Sequence, residues 1–423
     1  MTREMKDSGI PWIREIPKDW TIELIGNQVK EVNNPNTNGL EDNALQFKMG
    51  SIISKSRGDS KYNPETLEGY NIVDKGVIML NGLNLSFDLI SQRVGLVRER
   101  GVITSTYLAV KPSNNIDSEY LTYLFKAYDN CKAFHSMGRG LRQTLSYGEL
   151  RKYLLLYPSL AEQQRIAEFL DRKCGEVDEM IGLQEQIIEE LKAYKQSVIT
   201  EAVTKGLNPA APMRDSGIEW IGSIPEHWEV HRIKNHFSII SGSGFDVNLQ
   251  GLEDGELPIC KASDISRADK VLYAAENYLS REVALSQKFN IIPIGSIIFP
   301  KIGEAMKKNR RAICAVECCV DNNCQALVPN GINNIYSYYL LCCIKMEWYD
   351  NAGTIPSISN QKLRIEHIPF PTPTEQQAIA DYLDEKCADI DSLIQTKQSK
   401  IDSLKEYKKS IIYEYVTGKR EVE

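Results

Sequence analysis

The sequence repeats itself, and this duplication restricts the possible folds more than any other feature of the chain. Residues 5–20 return as residues 213–228, with ten of sixteen positions identical at an offset of 208. Residues 140–204 return without a gap as residues 353–417, at an offset of 213. Internal similarity over such lengths is typical of a repeated architecture. We therefore expect two copies of one structural unit.

The two copies resemble each other at their ends and differ in their middles. The motif Glu-Gln-Gln at 162–164 recurs at 375–377, whereas the middles share only a short motif that begins at Asn71 in one copy and Asn290 in the other. This contrast predicts a common scaffold that carries two variable modules. The predicted segments are a lead-in at 1–20, a first module at 21–158, a long helix at 159–206, a linker with the second lead-in at 207–228, a second module at 229–372 and a second long helix at 373–423.

Both late segments have the pattern of a long helix. Apolar residues recur every seven residues, which predicts a coiled coil. Because the chain leaves each module through one of these helices, we expect the helices to be antiparallel, with a module at each end. About 45 residues of helix would form a rod of roughly 65 Å. The last heptad of the predicted seam places Lys195 in the first helix and Lys408 in the second. The apolar seam residues are Ala167, Leu170, Cys174, Val177, Ile181, Ile188, Leu191, Val198, Ala380, Leu383, Cys387, Ile390, Ile394, Ile401, Leu404 and Ile411.

One seam position is polar in both helices, with Gln184 in the first and Lys397 in the second. Buried polar residues at such positions fix the pairing register in some coiled coils. The alternative is that both side chains are exposed where the helices separate locally. The sequence leaves these two interpretations open.

The modules have the pattern of mixed α/β domains. Helical stretches are predicted at 117–128 and 334–344, after runs rich in β-branched residues. The predicted fold class is α+β, with two mixed α/β modules separated by two long antiparallel coiled-coil helices and related by an internal pseudo-twofold duplication. The β-rich runs lie at 77–80, 102–110, 291–292, 296–299 and 312–316.

The composition argues against several classes of protein. No run approaches the ~18 apolar residues that a transmembrane helix requires, and the polar residues 1–7 do not resemble a secretory signal. Ten cysteines, some of them adjacent, favour a reducing cytoplasm over a disulfide framework. A net charge of −7 argues against a general polyanion binder.

Sequence motifs for catalysis are not evident. The chain has no Gly-x-x-x-x-Gly-Lys-Ser/Thr phosphate loop and no Asn/Asp-Pro-Pro-aromatic motif for holding a flipped adenine. His227, His231 and His236 are clustered, and we assign them to a solvent-facing surface rather than to a metal. The four cysteines at 314–324 lack Cys-x-x-Cys spacing, so we expect buried strand thiols. We therefore predict no catalytic residue, cofactor or metal in this chain.

Taken together, these features resemble the specificity subunits of type I restriction–modification systems. The resemblance rests on the duplicated Asp-Ser-Gly-Ile-x-Trp-Ile lead-in, the duplicated Glu-Gln-Gln helix and the two dissimilar modules, and it covers nearly the whole chain. It implies a non-catalytic, DNA-binding subunit in a defence against foreign DNA. Two target recognition domains would each read one half of a bipartite, asymmetric target, and the helices would set the gap between the halves.

The same resemblance implies partner proteins. These are two modification subunits, which bind S-adenosylmethionine and methylate adenine, and restriction subunits, which use ATP and Mg²⁺. The alternative function is a coiled-coil scaffold or adaptor without its own DNA recognition. Binding of the assembled protein to target and random duplexes would separate the two functions.

Both modules supply side chains suited to DNA. Base edges are read by Arg, Lys, Asn and Gln, and phosphates attract Lys and Arg. The run Lys307–Arg311 has four basic residues among five, and we assign it to phosphate contact. For any single residue the alternative is a solvated surface charge. The candidate DNA-binding residues are Lys48, Lys55, Arg57, Asn81, Asn84, Arg139, Arg142, Gln143, Lys261, Ser263, Arg267, Lys301, Lys307, Lys308, Arg310 and Arg311.

Apolar residues outside the seam predict a further protein interface on the helices. They offer more apolar surface than a two-stranded seam buries, which favours a docked partner at two equivalent places. The alternative is packing against the modules themselves. The candidate interface residues are Ile166, Phe169, Tyr194, Ile379, Tyr382 and Tyr407.

Removing one heptad from each long helix should change the spacer of the DNA target and leave both half-sites unchanged. The deletion shortens the predicted rod by roughly 10 Å, the rise of about three base pairs. The measurement is methylation-site mapping in cells that express the shortened chain with its modification partner. A changed half-site at constant spacer would contradict the predicted role of the helices.

Overall fold

A computed structural model of the chain describes residues 3–422 apart from 40, 56–66, 86–91, 139–142, 245, 247–248, 252 and 352. The chain forms two compact units: unit 1 is Met1–Glu185 with Gln398–Glu423, and unit 2 is Gln186–Lys397. The sequence-based segments kept each long helix whole, whereas each unit contains part of both helices. The reason is that each helix part buries its apolar face against a part of the other helix in the same unit.

Unit 1 consists of short strands and helices followed by the first part of a long helix. The sheet β4-β11-β8-β9 is antiparallel throughout, and β12 pairs with β3. One face of this sheet packs on α2 in the main core of the unit. The elements are β1 (Met5–Asp7), β2 (Glu15–Pro17), β3 (Thr21–Leu24), α1 (Ile25–Gln28), β4 (Val29–Glu31), β5 (Leu45–Lys48), β6 (Ser51–Ser54), β7 (Asn71–Val73), β8 (Ile78–Leu80), β9 (Val94–Leu96), β10 (Gly101–Ile103), β11 (Leu108–Pro112), α2 (Ser118–Asn130), α3 (Ala133–Met137), α4 (Tyr147–Leu150), β12 (Leu154–Tyr157) and α5 (Leu160–Lys205).

Unit 2 repeats this plan with a different sheet. The strand order β16-β23-β20-β21-β18 is antiparallel except for the parallel pair β18–β21. One face of the sheet packs on α10, and β15 pairs with β24 as β3 does with β12. The elements are β13 (Met213–Asp215), β14 (Ser223–Pro225), β15 (Glu229–Arg232), α6 (Ile233–His236), β16 (Phe237–Ser241), β17 (Leu257–Cys260), α7 (Ala262–Arg267), β18 (Val271–Leu272), β19 (Asn277–Leu279), α8 (Arg281–Ser286), β20 (Ile297–Pro300), α9 (Gly303–Lys307), β21 (Ala312–Cys314), β22 (Cys319–Val320), β23 (Cys324–Pro329), α10 (Asn334–Cys342), α11 (Asn360–Ile365), β24 (His367–Phe370) and α12 (Pro373–Val416).

The long helices α5 and α12 pair antiparallel within each unit, as predicted. In unit 1 the Phe169 ring contacts the Tyr415 ring, and Asp178 pairs with Lys408 at 2.6 Å. Residue numbers therefore increase along α5 while those of the contacting residues decrease along α12. In unit 2 Lys195 pairs with Asp391 at 2.6 Å. Seam side chains are buried or half-buried along both helices. The offset of 213 relates the two ion pairs, because it carries Asp178 to Asp391 and Lys195 to Lys408.

The polar seam residues Gln184 and Lys397 are half-buried. The ionic contacts between the helices come from a different seam position, which holds Lys195 in one helix and Lys408 in the other. An ion pair at a partly buried seam constrains register, because a slipped pairing would leave a charge beside apolar side chains.

The Glu-Gln-Gln motif joins each module to its helix. The Gln163 amide is completely buried; it accepts a hydrogen bond from the Asp117 N–H at 2.9 Å and donates one to the Pro158 carbonyl at 2.9 Å. Gln376 makes the same contacts in unit 2, with the Asn333 N–H and the Pro371 carbonyl. Asp117 and Asn333 are the N-caps of α2 and α10. One buried side chain therefore fixes the start of a long helix to the start of a module helix.

The glutamate of the motif holds the lead-in. Glu162 pairs with Arg3 at 2.6 Å, while Glu375 accepts hydrogen bonds from Trp228 and His227. Burial raises the pKa of the Glu375 carboxyl, but hydrogen bonds from Thr372, Trp228 and His227 lower it by more. The net result is a pKa of about 2, below the usual value of a glutamate. The two units thus keep a carboxylate at this place and supply it with different partners.

The far end of each long helix packs on a lead-in of the same unit. Gly418 ends α12 with a φ of 69°, and a Cβ there would lie 2.4 Å from the Pro17 side chain. Gly206 after α5 has a φ of 73° and lies against Trp228. Trp20 and Trp228 are both buried. This close approach explains why the lead-in and the helix are the repeated parts of the sequence. None of the helices in the described part of the chain is long and apolar enough to cross a membrane.

Replacing Gln163 by leucine should lower the free energy of unfolding by about 2–4 kcal/mol, because the Asp117 N–H and the carbonyls of Pro158 and Asn115 lose their buried partner. Gln164 is the matched control, since it is the exposed neighbour in the same motif, and its replacement by leucine should have little effect. Urea unfolding followed by circular dichroism measures both. Equal effects of the two substitutions would contradict the anchoring role of Gln163.

Candidate functional site

In unit 1 two loops with amide side chains meet beyond the end of β8. The loop 81–85 follows β8, and the segment 143–146 precedes α4. They are joined by hydrogen bonds from the Leu145 N–H to the Gly82 carbonyl, at 2.9 Å, and from the Leu85 N–H to the Gln143 carbonyl, at 3.3 Å. A Cβ at Gly82 would lie 2.6 Å from the Leu145 carbonyl oxygen, so the approach requires glycine. We call 81–85 with 143–146 the unit 1 loop pair.

Unit 2 brings the corresponding segments together. The loop 301–310, which includes the short helix α9, follows β20 and meets the segment 353–358. The Ile358 N–H donates to the Lys301 carbonyl at 3.0 Å, and the Gly303 N–H donates to the Pro356 carbonyl at 2.8 Å. We call these segments the unit 2 loop pair. Both pairs include part of the repeated Gly-x-x-x-x-x-Ser sequence, at 140–146 and 353–359.

The loop pairs gather many of the predicted DNA contacts. In unit 1, Asn84 is exposed, and Asn81 and Gln143 are half-buried. In unit 2 the exposed cations are Lys307, Lys308 and Arg310, with Lys301 half-buried. Lys307 forms an ion pair with Glu304 at 2.7 Å, which raises its pKa. The structure therefore presents amides on one loop pair and cations on the other.

Both loop pairs contain residues with left-handed backbone. Asn84 has a φ of 52°, Gln143 of 43° and Asn309 of 54°. Residues other than glycine are uncommon in this region, although asparagine enters it more readily than most. Other such residues in the described ranges are Arg14, Met49, Lys132 and Lys288, which lie outside the loop pairs. Among the three left-handed residues of the loop pairs, Asn84 and Gln143 are also candidate contact residues.

Other predicted contacts lie apart from the loop pairs. Lys48 and Lys55 flank the β5–β6 hairpin, and Lys261, Ser263 and Arg267 lie at α7. Arg267 is bound by Asp264, at 2.7 Å, and by Glu276, and these carboxylates raise its pKa. Three predicted residues fall outside the described part of the chain, namely Arg57, Arg139 and Arg142.

Arg311 requires a correction. The sequence placed it on the surface with the basic run, but it is 4% exposed, and its Nη2 donates to the Asn309 and Ile344 carbonyls at 3.3 and 3.2 Å. The reason is that Arg311 directly precedes the buried strand β21, so its side chain lies in the interior beneath the loop. A buried guanidinium in this position cannot reach a phosphate.

The predicted partner interface is only partly exposed. Ile166 and Ile379 are buried in the cores of their units, so their packing follows the alternative interpretation and the predicted exposure was wrong. The Phe169 ring packs at a tilt against Tyr415, with ring centroids 4.3 Å apart and an interplanar angle of 34°. Tyr194 and Tyr407, which occupy equivalent positions of the repeat, are 59% and 50% exposed. Tyr382 lies half-buried beside Tyr194 in a cavity of unit 2.

The histidine and cysteine clusters do not form a metal centre. His231 and His236 stack on Phe370, and the two imidazoles share a hydrogen bond of 2.7 Å. Cys314 and Cys318 are buried, with their sulfurs 3.4 Å apart. Across the described ranges, no group of three histidine, cysteine or acidic residues has the geometry to hold a metal ion.

Comparison with known proteins decides the family. Residues 97–193 and 225–417 match the model of the type I restriction modification DNA specificity domain, and together they make up more than half of the chain. The chain belongs to this family. The two matched stretches fall on the two copies of the repeat, so the resemblance drawn from the sequence is confirmed.

Relatives in this family match over nearly the whole length. The MjaVIII specificity subunit of Methanocaldococcus jannaschii is 24% identical over 96% of this chain and 93% of its own. The MjaIX specificity subunit of the same organism is 23% identical over 84% of this chain and 83% of its own. A chain from a solved structure on complex assembly and conformational transition of the type I restriction–modification system superposes with a TM-score of 0.68 at 15% identity, covering 96% of this chain and 99% of that one. The fold class predicted from the sequence is therefore confirmed.

Proposed function

We propose that each unit reads one half of a bipartite, asymmetric DNA target through its loop pair, and that the chain itself performs no chemistry. The observation that carries this proposal is that a loop pair occupies corresponding places in the two units, although the modules that contain the loop pairs differ in sequence. Duplicated frames with dissimilar loops are suited to two unlike half-sites. Family membership supports the DNA target as the class of ligand.

The side chains of the loop pairs match the chemistry of DNA. Asn and Gln suit adenine, through its N6 donor and N7 acceptor, whereas Lys and Arg suit guanine and phosphate. Asn81, Asn84 and Gln143 therefore favour base readout by unit 1. Lys307, Lys308 and Arg310 favour phosphate contact by unit 2, which positions the protein without specifying sequence.

The partners in this proposal are two modification subunits and, in a complete system, restriction subunits. The exposed Tyr194 and Tyr407 support two equivalent docking places, because the repeat relates them and large exposed aromatic side chains are typical of interfaces. S-adenosylmethionine, ATP and Mg²⁺ are assigned to the partner subunits, with none bound by this chain. Adenine methylation would then be the reaction of the modification subunits.

Replacing Lys308 by alanine should weaken DNA binding about equally for all sequences and reduce the slope of log affinity against log salt by about one, because one phosphate contact is lost. Lys386→Ala is the matched control, since Lys386 is an exposed lysine of the same unit on α12. Fluorescence anisotropy at several salt concentrations measures both. An unchanged slope in Lys308→Ala would remove this lysine from the interface.

Exchanging residues 21–158 for the same module of another family member should change one half-site and leave the other unchanged. The reason is that the loop pair of unit 1 lies inside this module, whereas that of unit 2 does not. Methylation-site mapping in cells that co-express the modification subunit measures the outcome, and the purified chain alone should transfer no methyl group. Methyl transfer without a partner, or a change in both half-sites, would contradict the proposal.

A further inference from the structure

We infer that Arg93 and Arg311 are positioning residues that hold the two loop pairs in the conformation that reads DNA. This inference rests on the proposed function and deepens it, because it separates residues that shape the loops from residues that touch the bases. Neither arginine reaches the surface, since Arg93 is 1% and Arg311 is 4% exposed.

Arg93 binds the backbone of the loop 81–85 from the buried side. Its Nη1 donates to the Asn81 carbonyl at 2.9 Å and to the Leu83 carbonyl at 2.8 Å. Its own backbone carbonyl accepts from the Asn81 N–H at 2.8 Å, and its N–H donates to Asp129 at 2.9 Å. The carbonyls on both sides of Gly82 therefore accept hydrogen bonds from one side chain, next to Asn84 with its φ of 52°.

Arg311 performs the same task in unit 2 with different partners. Its Nη2 donates to the carbonyls of Asn309 and Ile344. The Asn309 side chain strengthens this junction, because its amide donates to the Ile344 carbonyl at 3.2 Å and its oxygen accepts from the Met346 N–H at 3.1 Å. The loop that carries Lys307, Lys308 and Arg310 is thereby fixed to the segment after α10.

The two arginines occupy matching places without being counterparts in the repeat. Each directly precedes the second strand of a hairpin, β9 for Arg93 and β21 for Arg311. The motif at Asn71 and Asn290 makes Leu80 the counterpart of Phe299. In unit 1 Leu80 pairs with Val94, the residue after Arg93. In unit 2 Ile298 pairs with Ala312, and continuing this register by one residue places Arg311 opposite Phe299. The two arginines therefore differ by one residue of register. A buried guanidinium thus lies beneath the corresponding loop in both units, at positions that the repeat does not relate. This indicates that both loops need a buried donor to hold their backbone.

Arginine suits this task for a physical reason. In each arginine one Nη group donates to both carbonyls, and its two hydrogens lie in the rigid plane of the guanidinium, whereas lysine has a flexible point charge. Burying a charge is costly, and Arg311 Nε and Nη1 have no hydrogen-bond partner among the residues that the structure describes. The loop geometry explains why a buried charge is retained here.

The test measures discrimination at each half-site separately. The full chain is purified with its modification subunit, its target is mapped by methylation, and binding is compared for duplexes with single substitutions in either half. In Arg311→Met and Arg311→Lys we expect discrimination to fall about tenfold in the half read by unit 2, with the other half unchanged. Arg93→Lys should give the reverse pattern. Wild-type discrimination in Arg311→Lys would overturn the inference.

A second variant keeps the test valid if the arginine variants fold poorly. Asn309→Ala removes the other junction of the same loop and should relax the same half-site. The control is Ser337→Ala, which removes a hydroxyl buried in unit 2 on α10 and should leave discrimination unchanged. Equal losses in both halves would indicate a general loss of folded protein and overturn the inference. If the unaltered complex showed no discrimination at all, the proposed function itself would fail.

Discussion

A buried amide joins each module to the long helices, and the architecture of each unit depends on it. Gln163 and Gln376 each satisfy the N–H of a module-helix cap and the carbonyl of the proline before a long helix. A polar group at full burial is tolerated only with its partners in place. The junction therefore has one permitted geometry, and the rest of the module can vary around it.

The seam between the helices adds a second constraint. Apolar burial alone fixes which faces meet, but it tolerates slippage along the axis, since leucine, isoleucine and valine occur at many equivalent positions. The ion pairs Lys195–Asp391 and Lys408–Asp178 favour one register at two places related by the repeat. The same chemistry is thus used once in each unit, and the family comparison is consistent with this shared frame.

The loop pairs lie where changes of side chain leave the frame undisturbed. Each loop pair lies beyond the end of a buried strand, so its side chains can change without altering the sheet. The buried Arg93 and Arg311 hold these loops by backbone carbonyls, which every residue type provides. Such an arrangement permits the side chains of each loop to change while its backbone stays in place, which is what two unlike half-sites require.

The sequence by itself determined the duplication, the fold class and the antiparallel helices. The reason is that heptad periodicity and internal similarity can be read directly from the order of residues. It placed the start of α5 within one residue and named candidate contact residues on three of the four segments that form the loop pairs; it named none in 353–358. Only the tertiary structure decided that Arg311 is buried, that Ile166 and Ile379 lie in the cores, and that each compact unit contains parts of both helices. Burial and pairing arise from residues far apart in the chain, and a charge or an isoleucine looks the same in sequence whether a strand carries it inward or outward.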